Sequence, residues 1–493
     1  MKRTARLVLC AASLAVTDGR AAMAQNQPDQ FAPHRAMIRR YLDSTNTASL
    51  SVAVAKDGKI IWEEGFGWAN REKMAPATPH TMYSLASISK PITATGLMVL
   101  VERGKVALDQ PANKYLGVGK IRGLAGDAAG ATVRRVLGHT AGLPLHWQFF
   151  YADHSYGPPT MDETIARYGI TVFPPGAQNM YSNLGYGILD HIISRVSGQS
   201  YADFMRNEVF LPLGMTRTSV DIGPGLAEFV AERYDLDQRP IPFYTFDHPG
   251  ASAVYSSAHD LVRFGMFHLK QRLPEQRAIL TAASIDEMHR PVAPANYGLG
   301  FSLTADDMGS PRFGHGGGMP GVSTALALYP NEKVAIALLT NARSPVHPEY
   351  IVKAIMATLS PRFADSLRAR QGRARPAPPA FVMPAGLVGE WAGTLQTWHQ
   401  TVPMRLVAQP DGDIFVWVGD QPRAVVNELE LEGGRLSGRF AGTIPTDDAR
   451  RWAHDLRLDV VLGSGTLVGQ VNAITTTARE MWSLGSYAEL RKR

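Results

Sequence analysis

Residues 366–384 set Arg368, Arg370, Arg373 and Arg375 among alanines and then run into Pro376-Ala377-Pro378-Pro379. Proline fixes φ and offers no N–H, so this run can join neither a helix interior nor a central strand and reads as a semi-rigid linker. It divides a 493-residue chain, too long for one small domain, into two parts with different rhythms.

Behind the linker the rhythm is of period two. Alternating segments at residues 387–395, 402–407, 414–418, 424–431, 435–444, 456–462, 467–474 and 481–490 are separated by turn signals such as Asp411-Gly412, Gly433-Gly434 and Gly463-Ser464-Gly465. Alternation turns one face of each strand inward, and about eight evenly spaced strands predict a small all-β up-and-down barrel. Its expected bounds are residues 385–493.

Ahead of the linker the pattern is mixed. A helix is predicted at 33–43, then strands at 49–55 and 59–65 joined by the hairpin signal Lys56-Asp57-Gly58. Helical spacing returns at 133–138, 185–196, 201–210, 258–269 and 278–289, strands at 297–303, 322–329 and 333–340, and a closing helix at 350–359. This order predicts an α/β (α+β) domain over residues 31–365, with an antiparallel sheet flanked by terminal helices and a helical subdomain across a cleft. Residues 146–178 lack periodicity but hold Trp147, Phe149, Phe150, Tyr151, Tyr156, Tyr168 and Phe173, so they are expected to form a cleft wall.

The first 24 residues have the form of a secretory signal: basic Lys2, Arg3 and Arg6, an apolar run at 7–16, and Ala22-Met23-Ala24 ahead of Gln25. Cleavage after Ala24 would remove Cys10, the single cysteine, and deliver a disulfide-free chain to the periplasm or the medium. No later run reaches the roughly 18 apolar residues of a membrane span. The formal charge is +6, and half of that surplus lies in the signal segment, so no basic stripe points to a nucleic-acid partner.

One short stretch points to chemistry. In Ser87-Ile88-Ser89-Lys90, Pro91 places Ser87 in or just before the opening turn of a helix that ends at Gly104. Residues three apart share a helix face, so Lys90 can reach the Ser87 hydroxyl, and burial would let it act as a base. Taken alone, the pattern also describes a helix cap beside a solvated lysine. Tyr181-Ser182-Asn183 adds a phenol that could shuttle protons if an ammonium lowered its pKa, and a carboxamide for a substrate amide. His315-Gly316-Gly317-Gly318 enters a predicted strand along which substrate could lie, with the N–H groups of Ser87 and Gly318 as an oxyanion hole. The fourteen histidines fall in no dense ligand spacing, so no metal and no cofactor are expected.

Ser87-x-x-Lys90, Tyr181-Ser182-Asn183 and His315-Gly316-Gly317, in this order, resemble the three motifs of the serine β-lactamase-related hydrolases. These include class C β-lactamases, D-alanyl-D-alanine carboxypeptidases, D-aminopeptidases and family VIII esterases. Leu137-Gly138-His139-Thr140-Ala141-Gly142-Leu143-Pro144 and Tyr255-Ser256-Ser257-Ala258-His259-Asp260-Leu261 match as well. The resemblance implies that Ser87 forms an acyl-enzyme, that Lys90 and Tyr181 move protons, and that Asn183, His315, Gly316 and Gly317 bind substrate. His315 stands where many β-lactamases have lysine, which favours a small peptide, D-amino-acid peptide or carboxylic ester over a β-lactam. A β-lactamase and a non-catalytic penicillin- or muropeptide-binding protein are the alternatives. The segment behind the linker is similar to the lipocalin-like domain of some of these hydrolases.

Overall fold

A computed structural model describes residues 29–305, 309–344, 346–370, 381–475 and 481–493. The expected signal segment, with Cys10, and the proline-rich centre of the linker lie outside these residues.

The first part is built on a seven-stranded sheet. Its spatial order is Ala75–Pro76, Lys59–Asn70, Ser49–Lys56, Val334–Thr340, Val322–Tyr329, Pro311–Met319 and Ser302–Ala305, with antiparallel pairing throughout. The hairpin turn falls at Asp57 (φ 49°) and Gly58 (φ 74°), two left-handed residues whose twist suits a tight antiparallel connection. Because both faces are covered, the central strands read as nearly continuous apolar runs. One face packs Leu50, Val52, Val54, Ile336 and Leu338 against Ile38 and Tyr41 of helix Ala32–Thr45 and Ile351 and Ile355 of helix Glu349–Leu359. The other receives helix Ala258–His268, where a Cβ on Gly265 would stand 2.8 Å from Ala335 and Leu328. Behind it, helix Ser89–Glu102 is buried from Ser89 to Leu100 and packs on helix Asn183–Ser197.

Several expected elements are corrected. The expected 297–303 strand shifts to Ser302–Ala305, the 278–289 helix shortens to Ala282–Met288, and the 201–210 helix becomes Tyr201–Met205 followed by a π turn at Arg206–Phe210. The unpatterned 146–178 region contains strand Trp147–Tyr151 and helix Met161–Tyr168. The predicted linker starts too early, since helix Pro361–Arg370 runs through its first five residues. Phe363, 1% exposed and edge-on to Tyr329, holds that helix to the core.

The second part is a meander of nine strands from Gly389–Gln396 to Trp482–Lys492, with the last paired to the first. The expected 424–431 strand is split into Ala424–Val425 and Asn427–Glu432 by Val426, which turns inward at 3% exposure, and the barrel is left nearly closed there. Trp391, Leu406, Val416, Leu458, Leu467, Val471, Leu484 and Leu490 fill its interior.

The two parts share a surface. Strand Trp147–Tyr151 pairs with Trp482 and Ser483 of the barrel on one side and with strand Tyr244–Phe246 on the other. Tyr487 packs with Ile170, Val172, Phe173 and Met180, and the Tyr168 hydroxyl donates to the Asp448 carboxylate. Among the described residues, no helix is long and apolar enough to cross a membrane.

Candidate active site

Ser87 sits in a single 3-10 turn, Ala86–Ile88, that runs directly into helix Ser89–Glu102, with Pro91 tolerated in the opening turn. Ala86 has φ 49°, a left-handed conformation that costs an alanine on the order of 1 kcal/mol, and it aims the serine out of the helix. The glycine strand lies hard against this turn. A Cβ on Gly317 would fall 2.1 Å from the Leu85 carbonyl oxygen, so only glycine allows the approach. Thr324 Oγ1 fixes it by donating to the same oxygen at 3.0 Å.

Lys90 has no exposed surface, and its Nζ meets Ser87 Oγ at 3.0 Å, Asn183 Oδ1 at 2.8 Å and the Ala251 carbonyl at 3.2 Å. No carboxylate is among these partners, and burial pushes the amine well below its ordinary pKa. The partner set suits a neutral amine. Two N–H groups serve the two obligate acceptors, Asn183 Oδ1 and Ala251 O, and the lone pair is left for the Ser87 hydroxyl proton.

Tyr181 precedes the N-cap Ser182, whose hydroxyl accepts from Gly185 N–H at 3.0 Å and donates to Pro144 O at 2.7 Å. Its phenol stands beside the Ser87 side chain, and Lys90 Nζ lies 4.7 Å from its ring centroid. Burial raises the Tyr181 pKa, which corrects the expectation of a lowered one. A neutral lysine supplies no positive charge, so the phenol stays protonated and acts as an O–H group.

Two residues given no role in the sequence stand behind Tyr181, Tyr297 by way of His139. His139 Nδ1 accepts from Ser182 N–H at 3.1 Å, and its ring lies 4.3 Å from Tyr181 and 4.6 Å from Tyr297, centroid to centroid. Burial keeps that imidazole neutral. His139 lies in the family-like stretch at residues 137–144, whereas no sequence signal marked Tyr297.

The remaining expected residues are all brought to the same cleft. Asn183 opens its helix and commits its carboxamide oxygen to Lys90, leaving the NH₂ for a substrate. Pairing between Ser302–Ala305 and the glycine strand ends at Gly314, so the edge from His315 through Gly316, Gly317 and Gly318 to Met319 is open there. Gly316 and Gly318 are exposed and Gly317 is buried. His315 Nδ1 donates to Gly316 O at 2.6 Å, and burial lowers its pKa to about 3. The ring is therefore neutral and presents no cation to a carboxylate.

Among the described residues, two clusters of metal-ligating types lie outside the Ser87 group. His146, Asp247 and His248 are buried, with His146 Nε2 and His248 Nδ1 both meeting the Asp247 carboxylate, at 2.8 Å and 2.7 Å. Glu63, His80 and His259 come together at the surface from three separate elements, which their sequence spacing does not reveal.

A family model described as Beta-lactamase matches residues 34–357. Penicillin-binding protein 4* of Bacillus subtilis is 28% identical over 61% of this chain and 70% of its own length. Unguisins hydrolase ungD' of Aspergillus campestris is 27% identical over 65% of this chain and 63% of its own. Among solved structures, SurE superposes with a TM-score of 0.62 at 23% identity, covering 92% of this chain and 99% of that one. The octameric penicillin-binding protein homologue from Pyrococcus abyssi gives 0.57 at 22%, with the same coverage. A class C β-lactamase gives 0.56 at 19% but covers only 70% of this chain. The first two structures thus match across both parts. With two thirds of its length matched to the family model, the chain belongs to the beta-lactamase family of serine hydrolases.

Proposed function

We propose that this protein cleaves a small amide or ester, either a peptide, a D-amino-acid peptide or a carboxylic ester, through an acyl-enzyme on Ser87. The neutral Lys90 takes the proton from Ser87 Oγ as that oxygen attacks the carbonyl carbon. The N–H groups of Ser87 and Gly318 receive the charge that develops on the carbonyl oxygen. The Tyr181 O–H, beside Ser87, passes a proton to the departing nitrogen or oxygen. Water then reverses these steps to free the acid. The observation that carries this reading is the Lys90 amine, buried without a carboxylate and 3.0 Å from Ser87 Oγ. The signal pattern of residues 1–24 supports work in the periplasm or outside the cell.

A panel of 4-nitrophenyl esters, short D-amino-acid peptides and a chromogenic cephalosporin tests the proposal. Turnover of the esters or peptides, lost in Ser87→Ala, is expected. Fast cephalosporin turnover would assign a β-lactamase instead, and a folded chain that never labels with a fluorophosphonate would assign a binding protein.

A further inference from the structure

Arg233 stands at the end of the cleft beyond Gly318. The run that carries it lies beside the lead-in to Ser87, with Val230 bridged to Met82 in parallel and Ala231 N–H donating to Met82 O at 2.8 Å. On its other side is Gly321, in the turn that ends the glycine strand, where a Cβ would meet Arg233 Cβ at 2.7 Å. The arginine is thus wedged between the two backbones that make the catalytic turn and the open edge.

Arg233 is 5% exposed, and its guanidinium lies among aromatic rings. The Cζ atom is 3.5 Å from the Tyr244 ring centroid, 5.6 Å from Phe243 and 6.0 Å from Tyr255. Tyr244 is tied to the same turn, since its hydroxyl donates to Pro320 O at 2.6 Å. Tyr255 is paired through its backbone with Ser84, three residues before the nucleophile. Phe243 is 40% exposed and opens this cage to solvent. Nη1 is enclosed with no hydrogen-bond partner, and among the described residues Arg233 makes no ion pair.

A buried guanidinium cannot shed its proton, and an uncompensated buried charge is strongly unfavourable. Ring faces offset part of that cost and leave the fork of N–H donors without an anion. We propose that Arg233 is the anchor for a carboxylate of the substrate, held at the Gly321 end of the cleft between Tyr244, Tyr255 and Phe243. This assignment rests on the Ser87 hydrolase reading for its substrate, and it supplies the positive charge that the neutral His315 lacks. The substrate class narrows to amides or esters that bear a free carboxylate away from the scissile bond.

Two matched pairs test it on the full chain. The monoester 4-nitrophenyl glutarate against 4-nitrophenyl valerate places the carboxylate on the acyl side, and D-alanyl-D-alanine against its carboxamide places it on the leaving side. In one pair the carboxylate member should have a kcat/KM higher by at least about tenfold, a ratio that collapses towards one in Arg233→Gln and is partly kept in Arg233→Lys. Calorimetric binding of glutarate is a readout that needs no turnover. Binding should weaken at least about tenfold in a folded Arg233→Gln chain. Glutarate binding without turnover of any substrate would sink the hydrolase reading and leave the anchor standing. Equal rates within both pairs, or glutarate affinity indifferent to Arg233, would overturn the anchor even if the variant failed to fold, since the first result needs the wild-type chain alone.

Discussion

The interiors of the two parts are built to different ends. In the hydrolase part, apolar packing encloses polar groups, with Lys90 and Thr93 at 0% exposure and His139 at 2%. In the barrel, the interior is closed by Trp391 and aliphatic side chains, while Asp448 and Gln470 lie on the side that meets the hydrolase. Low dielectric has opposite uses in the two places. Around Lys90 it holds an amine neutral beside its hydroxyl, whereas around Trp391 it adds only burial. The buried polar groups around Ser87 therefore belong to one interior, and the barrel meets that part through its outer face.

The sharpest break between them is at Ser87. Ser87→Ala should lower turnover of an activated ester by at least about 10⁴-fold and leave the unfolding temperature within a few degrees. Trp391→Ala inverts that pattern. It should cost about 3–5 kcal/mol in the barrel, read by denaturant unfolding, while fluorophosphonate still labels Ser87.

Tyr168→Phe addresses the shared surface. The buried Asp448 would lose its phenol donor and keep Trp398 Nε1, at 3.3 Å, and the Ala449 N–H, a loss of about 1–3 kcal/mol. Calorimetry should then resolve two transitions where the wild-type chain shows one. A single unchanged transition would mean that the two parts are coupled by something other than this contact.

Acid gives a graded test. His139, His248, His268, His289 and His315 are held neutral by burial, the last two with pKa values near 3. Once unfolded they take up protons below about 6.5, so their contribution to stability is complete above that pH and is lost as pH falls towards 3. Asp190, Asp221 and Asp260 act in the opposite sense, because their raised pKa values, about 6 for the latter two, favour the folded chain as pH falls. Histidines outnumber these carboxyls, so stability should decline below about 6.5 by about 1.4 kcal/mol per pH unit for each uncompensated histidine, whereas above it the neutral Lys90, which is protonated once unfolded, should let stability rise towards pH 10.5. The decline should be carried by the hydrolase part, since none of these histidines belongs to the barrel.

The sequence was most legible where local chemistry and tertiary structure agree. Lys56-Asp57-Gly58 encodes its turn directly, and the barrel strands announce themselves because one face of each is buried and the other is not. Ser87, Lys90 and Tyr181 were readable because a helix start and a cap fix their spacing. What escaped was set by contacts distant in sequence. Trp147–Tyr151 has no alternation because both its neighbours, Trp482–Ser483 and Tyr244–Phe246, are supplied from elsewhere. Asn183 as a lysine partner and Tyr297 as a support for His139 depend on folds of the chain about 93 and 158 residues long.

The central claim is that an uncharged Lys90 activates Ser87, and the pH dependence of Ser87 phosphonylation by a fluorophosphonate tests it most directly. The reactive form has the amine deprotonated, so the rate should rise to a plateau with an apparent pKa well below the ordinary 10.5 of lysine, and Lys90→Met should abolish that plateau. A rate that keeps climbing to about 10.5, or one that Lys90→Met leaves unaltered, would contradict the account.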